Sequence, residues 1–181
     1  MVLFHFFYEQ LSIFFLSGSI LIILTMEEAI FGAGCFWGVE YKFGKVKGVI
    51  STEVGYTGGT TKNPTYKDVC TNTTGHAEVV KVIFDPSIVS YEELLEIFWD
   101  IHNPTTLNRQ GWDIGTQYRS AVFYKDENQR LSAVKLKEKL DKSGKYSKPI
   151  VTEIVPFTEY YKAEDYHQKY HEKNKKSVYS L

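Results

Sequence analysis

The 181-residue chain has little sulfur chemistry available to it: two cysteines, Cys35 and Cys70, and no Cys-x-x-Cys pair. Two cysteines cannot staple a domain of this size. That excludes the disulfide-scaffold class and makes reduced thiols in a cytosolic compartment the expectation. Metal-ligand spacing is scarce as well. Among His5, His76, His102, His167 and His171 there is one i,i+4 pair, His167 and His171, with Gln and Lys beside it instead of a His-Glu-x-x-His arrangement. No metal site is expected. A basic excess is also missing. With a formal net charge of −1 the chain has no broad electrostatic footprint for nucleic acid.

Positive charge is absent where targeting would need it. Residues 11–24, "LSIFFLSGSILIIL", form an uncharged run shorter than the roughly 20 residues that span a bilayer. No Lys or Arg precedes the run, so the positive region of a secretory signal and the flank that orients a membrane anchor are both missing. Met26 follows closely and suits a normal chain start. Residues 1–25 therefore read as an apolar extension upstream of that start, with an N-terminal membrane anchor as the alternative. Residues 26–181 read as one domain, and no linker divides them.

What the chain does have is aromatics, 13 Tyr and 12 Phe, within 43% hydrophobic and 24% charged residues. That is the balance of a globular domain with a real core. Tyrosines also suit a pocket that is apolar at its base and hydroxylated at its rim.

From residue 28 the pattern alternates. "AIFGAG" suits a buried strand ending in a tight turn, and "CFWGVEYKFGKV" has helix-like spacing. "VISTEVGYTGG" reads as a strand entering a Gly-rich loop, followed by the long irregular segment "TTKNPTYKDVCTNTTGHA". "EVVKVIFDP" is a β-branched strand. "SYEELLEIFWDIH" opens with a capping box, Ser90 and Glu93, and places Leu94, Ile97, Phe98 and Ile101 on one face. A second polar loop, "NPTTLNRQGWDIGTQ", precedes the strand "YRSAVFYKD", and Asp126 with Gln129 is placed to cap another helix. "PIVTEIVP" reads as a last strand and "KAEDYHQKYHEK" as a polar C-terminal helix. The order β-α-β-β-α-β, then α-β-α, predicts an α+β fold. Its core is the ferredoxin-like split β-α-β with an antiparallel or mixed sheet, extended by a C-terminal helix-strand-helix.

Within "IFGAGCFWGVE", a helix beginning at Phe36 puts Cys35 at its N-cap. Free backbone N–H groups and roughly half a positive charge then face the sulfur. Such a position is expected to lower the thiol pKa and to favour the nucleophilic thiolate. Glu78 opens an apolar strand, where burial would raise its pKa toward that of a useful proton donor. Tyr66 and Tyr118 offer hydroxyls on aromatic arms, Asp113 a group to orient water or substrate, and Phe36 and Trp37 apolar walls. No sequence spacing forces these residues together.

Taken in order, "GAGCFWGVE", "GYTGG", "NPTYKDVC", "TGHAEVV", "DIGTQYRS" and "AEDYHQKY" resemble the peptide methionine sulfoxide reductase A family over about residues 27–173. The resemblance implies thiol-dependent reduction of methionine-S-sulfoxide, protein-bound or free, as a repair of oxidised proteins. It implies that Cys35 attacks the sulfoxide sulfur, that Glu78 supplies a proton to the oxygen, and that Tyr66 and Tyr118 hydrogen-bond that oxygen. Phe36 and Trp37 would hold the S-methyl group, and Asp113 would orient the main chain or a water. No cofactor is implied. The Cys35 sulfenic acid would pass to an external thioredoxin-like or glutaredoxin-like thiol, and the expected form is a cytoplasmic monomer. The chain departs from the pattern at its end, "HEKNKKSVYSL", which lacks the recycling cysteines many members carry. Cys70 is then the one other thiol, and a packing role suits it better than a resolving role. Three rivals share the cysteine or the extension: a cysteine hydrolase using Cys35, His76 and Asp113, a thiol peroxidase, and a membrane-tethered binding module.

Overall fold

In a computed structural model the backbone is described for residues 6–8, 11–16, 19–24 and 26–178, and the side chains for residues 26–174. Strands β1 (Phe6–Tyr8), β2 (Leu11–Leu16) and β3 (Ser19–Leu24) pair antiparallel in a sheet of their own. The side chains of residues 1–25, on which the choice between extension and anchor turns, lie outside the described residues. Among the described residues no helix is long and apolar enough to cross a membrane.

The main sheet is built from β4 (Glu27–Ala33), β5 (Val49–Thr57), β6 (Ala77–Phe84), β9 (Ser120–Tyr124), β10 (Glu153–Pro156) and β11 (Tyr160–Lys162). A small hairpin, β7 (Arg109–Gln110) with β8 (Asp113–Ile114), lies between β6 and β9 in sequence. The order across the main sheet is β10-β9-β4-β6-β5-β11. Its four central strands, β9-β4-β6-β5, are antiparallel neighbours in the order fourth, first, third, second. That is the split β-α-β arrangement predicted from the sequence, with β10 added parallel to β9 and β11 antiparallel to β5.

Helices α1 (Phe36–Phe43), α3 (Tyr91–Asp100) and α4 (Glu127–Lys142) form where their caps and apolar faces dictate. The Ser90 hydroxyl accepts from the Glu93 amide at 3.2 Å while the Glu93 carboxylate accepts from the Ser90 amide at 2.8 Å, a closed capping box. Asp126 caps α4 by accepting from the Gln129 amide at 2.9 Å. Leu94, Leu95 and Phe98 of α3 and Phe43 of α1 are fully buried against β4 and β6, where Phe31 stacks between Phe43 and Phe98 at 5.1 and 5.2 Å.

The C-terminal region differs from expectation. Residues 163–169 are not helical, and α5 (Tyr170–Val178) starts only after Lys169, whose φ of +55° breaks the chain direction. A helix over 162–173 would have had no continuous apolar face, and the polar side chains of this strap bond to other elements instead. Gln168 accepts from the Val54 amide and donates to the Val54 carbonyl, both at 2.9 Å, and so occupies the strand edge like a short piece of backbone. Glu40, buried in α1, accepts from the Lys169 amide at 2.7 Å. The long irregular segment after β5 also contains a short helix, α2 (Tyr66–Val69), closed by a Thr65–Asp68 capping box.

Candidate active site

The strand-to-helix turn at Gly34 places Cys35. Gly34 has a φ of +89°, and a Cβ there would lie 2.6 Å from Gln110 Cγ, so both backbone and packing require glycine. Cys35 is the N-cap of α1 but makes no side-chain cap hydrogen bond. Burial pushes its thiol up to about 11, with the charges of Glu78 and Asp113 adding to the rise. The amides of Trp37 and Gly38 face the sulfur and oppose this without overcoming it. The lowering expected from the sequence is thus reversed. A helix terminus favours an anion by about 0.3–1 kcal/mol, and here that is less than the cost of withdrawing a thiolate from water.

Glu78, the second residue of β6, is 1% exposed. Its Oε2 accepts from the Phe36 amide at 3.1 Å, which brings the carboxyl to the same helix end as the thiol. Burial raises it to about 8, with the Phe36 amide opposing and Asp113 reinforcing. At neutral pH the site therefore holds a protonated thiol beside a protonated carboxyl.

The tyrosines complete the cluster. Tyr66 is the first residue of α2 and is half-buried. Burial and then the fields of Cys70, Tyr118 and Glu78 raise its pKa well above the ordinary phenol value. Tyr118 closes the helical turn Thr116–Tyr118. Burial, then Glu78, Asp113, Cys70 and Cys35, raise it to about 12. Asp113, exposed on β8, acts electrostatically on Cys35, Glu78 and Tyr118. The structure thus brings Cys35, Glu78, Tyr66, Tyr118 and Asp113 to one end of α1. All the hydroxyl, thiol and buried carboxyl groups there are available as donors.

Phe36 is buried between Tyr56 and His167, with centroids at 5.9 and 5.0 Å. Trp37 is half-buried, stacks on Tyr170 at 3.7 Å and donates from Nε1 to His167 Nδ1 at 3.0 Å. The hydrolase arrangement does not form. His76 accepts from the Gly59 amide at Nδ1, 3.1 Å, and its Nε2 meets the Thr61 carbonyl at 2.8 Å, so both ring nitrogens are held by the loop.

Three residues around the cluster were missed by sequence reasoning: Tyr56, Glu164 and His167. For Glu164 and His167 the available signal was "AEDYHQKY" itself, a dense polar and aromatic stretch with no apolar helix face, while Tyr56 lies in "GYTGG". Elsewhere, the cleft of about 730 Å³ between Glu27, Glu92 and Asp126 contains no thiol, and Asp126 there serves as a helix cap.

Known proteins resemble this chain over most of its length. The sequence model of the family described as peptide methionine sulfoxide reductase matches residues 27–181. The peptide methionine sulfoxide reductase MsrA of Methanococcoides burtonii is 61% identical over 148 residues, covering 82% of this chain and 97% of that protein. Reduced Mxr1 of Saccharomyces cerevisiae superimposes with a TM-score of 0.78 at 36% identity, covering 83% of this chain and 86% of the other. Mxr1 in complex with Trx2 matches with a TM-score of 0.57 at 25% identity, covering 80% and 84%. With the family match running over residues 27–181 and a relative 61% identical over 148 residues, this chain belongs to the peptide methionine sulfoxide reductase family of oxidoreductases.

Proposed function

We propose that the chain reduces methionine-S-sulfoxide, in proteins or free, to methionine, with Cys35 as the nucleophile. The observation that carries this is the shared helix end, where Cys35 caps α1 and the Glu78 carboxyl accepts from the Phe36 amide at 3.1 Å. As the Cys35 sulfur attacks the sulfoxide sulfur, negative charge builds on the oxygen, and preorganised donors lower that barrier. Glu78 gives its proton to the oxygen and recovers the one released by the thiol, so of the two protons the resting pair holds, one ends on Glu78 and the other on the transferred oxygen. Tyr66 and Tyr118 donate hydrogen bonds to the same oxygen. The amides of Trp37 and Gly38 receive the sulfur as it becomes anionic. Phe36 and Trp37 enclose the S-methyl group, and Asp113 orients the main chain or a water.

The step balances. One thiol and one sulfoxide give one thioether and one Cys35 sulfenic acid, with the oxygen moving from substrate sulfur to cysteine sulfur and the cysteine oxidised by two electrons. An external thiol then condenses with the sulfenic acid, releasing water, and a second thiol frees Cys35 from the mixed disulfide. A thioredoxin-like or glutaredoxin-like protein supplies these thiols, and the Mxr1–Trx2 complex favours the first. The enzyme acts as a monomer in the cytoplasm, from the single domain of residues 26–181. Cys70 does not resolve the sulfenic acid.

The test is single turnover. Reduced protein and methionine-S-sulfoxide, without added reductant, should give about one methionine per wild-type chain and none from Cys35→Ser. Absence of methionine from the wild type would refute the function. Loss of multiple turnover in Cys70→Ser, with the first turnover intact, would refute direct external reduction.

A further inference from the structure

Glu164 stands outside this chemistry, in the strap between β11 and α5, yet its two oxygens reach two elements of the site. Oε1 accepts from the Tyr66 amide at 2.9 Å, and Oε2 accepts from the Tyr56 hydroxyl at 2.9 Å. Tyr66 is the first residue of a helix only four residues long, whose other assigned first-turn bonds are local: Thr65 and Asp68 cap each other. A one-turn helix has little stiffness of its own. The Tyr66 amide is an end donor that the helix cannot satisfy internally, and here a carboxylate 98 residues away satisfies it. At the other oxygen, Tyr56 is fully buried and lies against Phe36. The ring of His167 sits 4.6 Å from that of Tyr66, and its Nε2 is 3.9 Å from Glu164 Oε2, beyond hydrogen-bond reach and without a partner. His167 therefore packs against Tyr66 but does not compete for the carboxylate.

We propose that Glu164 is a positioning residue for reduction: by holding the Tyr66 amide and the Tyr56 hydroxyl at fixed separation, it sets where the Tyr66 hydroxyl stands relative to Cys35. The assignment rests on Tyr66 donating to the sulfoxide oxygen, as argued above. A carboxylate bridging two donors fixes both the height and the rotation of a short helix, and a misplacement of about 1 Å at a donor can cost up to about a hundredfold in rate.

The experiment is a double-mutant cycle read by single-turnover methionine formation, with the substrate dissociation constant taken from the concentration dependence of the rate. Glu164→Ala should slow the chemical step roughly tenfold and leave substrate affinity within about twofold, because its carboxylate bonds Tyr66 and Tyr56 and not Phe36 or Trp37, which enclose the S-methyl group. In a Tyr66→Phe background the same substitution should slow the step less than about twofold. Glu164→Gln should recover wild-type rates, since its carbonyl accepts from the Tyr66 amide and its NH₂ donates to a Tyr56 hydroxyl acting as acceptor. If Glu164→Ala is not soluble, Glu164→Asp keeps the charge but is one methylene too short to span both partners, and the same readouts apply. Equal slowing in both backgrounds, an unchanged rate, or a loss confined to affinity would each overturn the proposal. So would a Tyr66→Phe enzyme as fast as wild type. A wild type that makes no methionine fails the function itself, whereas normal wild-type turnover with an unaffected Glu164→Ala fails only the positioning role.

Discussion

Replacing Glu78 by glutamine separates the part proposed for its carboxyl in catalysis from its effect on stability. Burial moves its pKa from 4.5 to about 8 in the folded chain. Below pH 4.5 the group is protonated folded or unfolded and gives no pH dependence. Between 4.5 and 8 the folded state keeps a proton that the unfolded chain has released, so stability falls as pH rises, by up to about 1.4 kcal/mol per pH unit. Above 8 both states are ionised and the loss levels off. The window sets a ceiling of about 5 kcal/mol, a large share of the roughly 5–15 kcal/mol that holds a domain of this kind together. Glutamine is neutral throughout, and its carbonyl still accepts from the Phe36 amide. Urea denaturation at pH 5 to 9 should show Glu78→Gln gaining on the wild type by a few kcal/mol up to pH 8, then no further. Because each point compares two proteins at one pH, other titrating groups cancel. Activity should move the other way: at pH 7 the single-turnover rate should fall about 10²–10³-fold, the share expected of a general acid. A stability difference that is flat across pH would show that the carboxyl is not held protonated by the fold. A glutamine variant as fast as wild type would remove it from the proton transfer.

Other perturbations test other parts of the structure. In a Cys70→Ser background, alkylation of Cys35 by iodoacetamide should accelerate about tenfold per pH unit from 7 to 10, because the thiol titrates near about 11; a plateau below pH 8 would contradict the buried, protonated resting thiol. His102, bonded at both ring nitrogens to the Phe98 carbonyl and the Ser120 hydroxyl, is held by burial down at about 4. Its folded pKa lies below the ordinary 6.5, so the unfolded chain binds the extra proton as pH falls from 6.5 to 4 and stability drops with it. His102→Asn should flatten that acid limb in urea titrations, and an unchanged limb would count against the assignment. At Gly59 a Cβ would sit 2.4 Å from both the His76 nitrogen and the Thr74 oxygen of the backbone, with no side chain able to yield. Gly59→Ala should cost about 3 kcal/mol in chemical denaturation, and a loss under 1 kcal/mol would mean the loop relaxes freely. Trp112 is 94% exposed and Trp99 1%, so Trp112→Ala should change stability by less than about 0.5 kcal/mol and Trp99→Ala by about 3–5 kcal/mol; similar losses from both would contradict the burial described.

How much of this was legible in the sequence follows from how far each interaction reaches along the chain. The Ser90–Glu93 box closes over three residues, and the apolar rows of α3 and β6 repeat at helix and strand periods, so these elements and their split β-α-β order could be read directly. The strap could not. Whether residues 163–169 coil or extend is decided by Gln168 at Val54, Glu164 at Tyr66 and Lys169 at Glu40, each partner about a hundred residues or more away. The same distinction explains why reasoning about two neighbouring groups gave one right direction and one wrong. For Glu78, burial and a nearby carboxylate act together, so the expected rise was insensitive to detail. For Cys35 the helix terminus and burial oppose each other. A sequence displays the cap, which is local, but not the desolvation, which depends on everything packed around the turn. The consequence is chemical. In the proposed mechanism a thiol held protonated at rest is protected from indiscriminate oxidants, and it becomes a nucleophile as the sulfoxide oxygen takes the proton that Glu78 passes on.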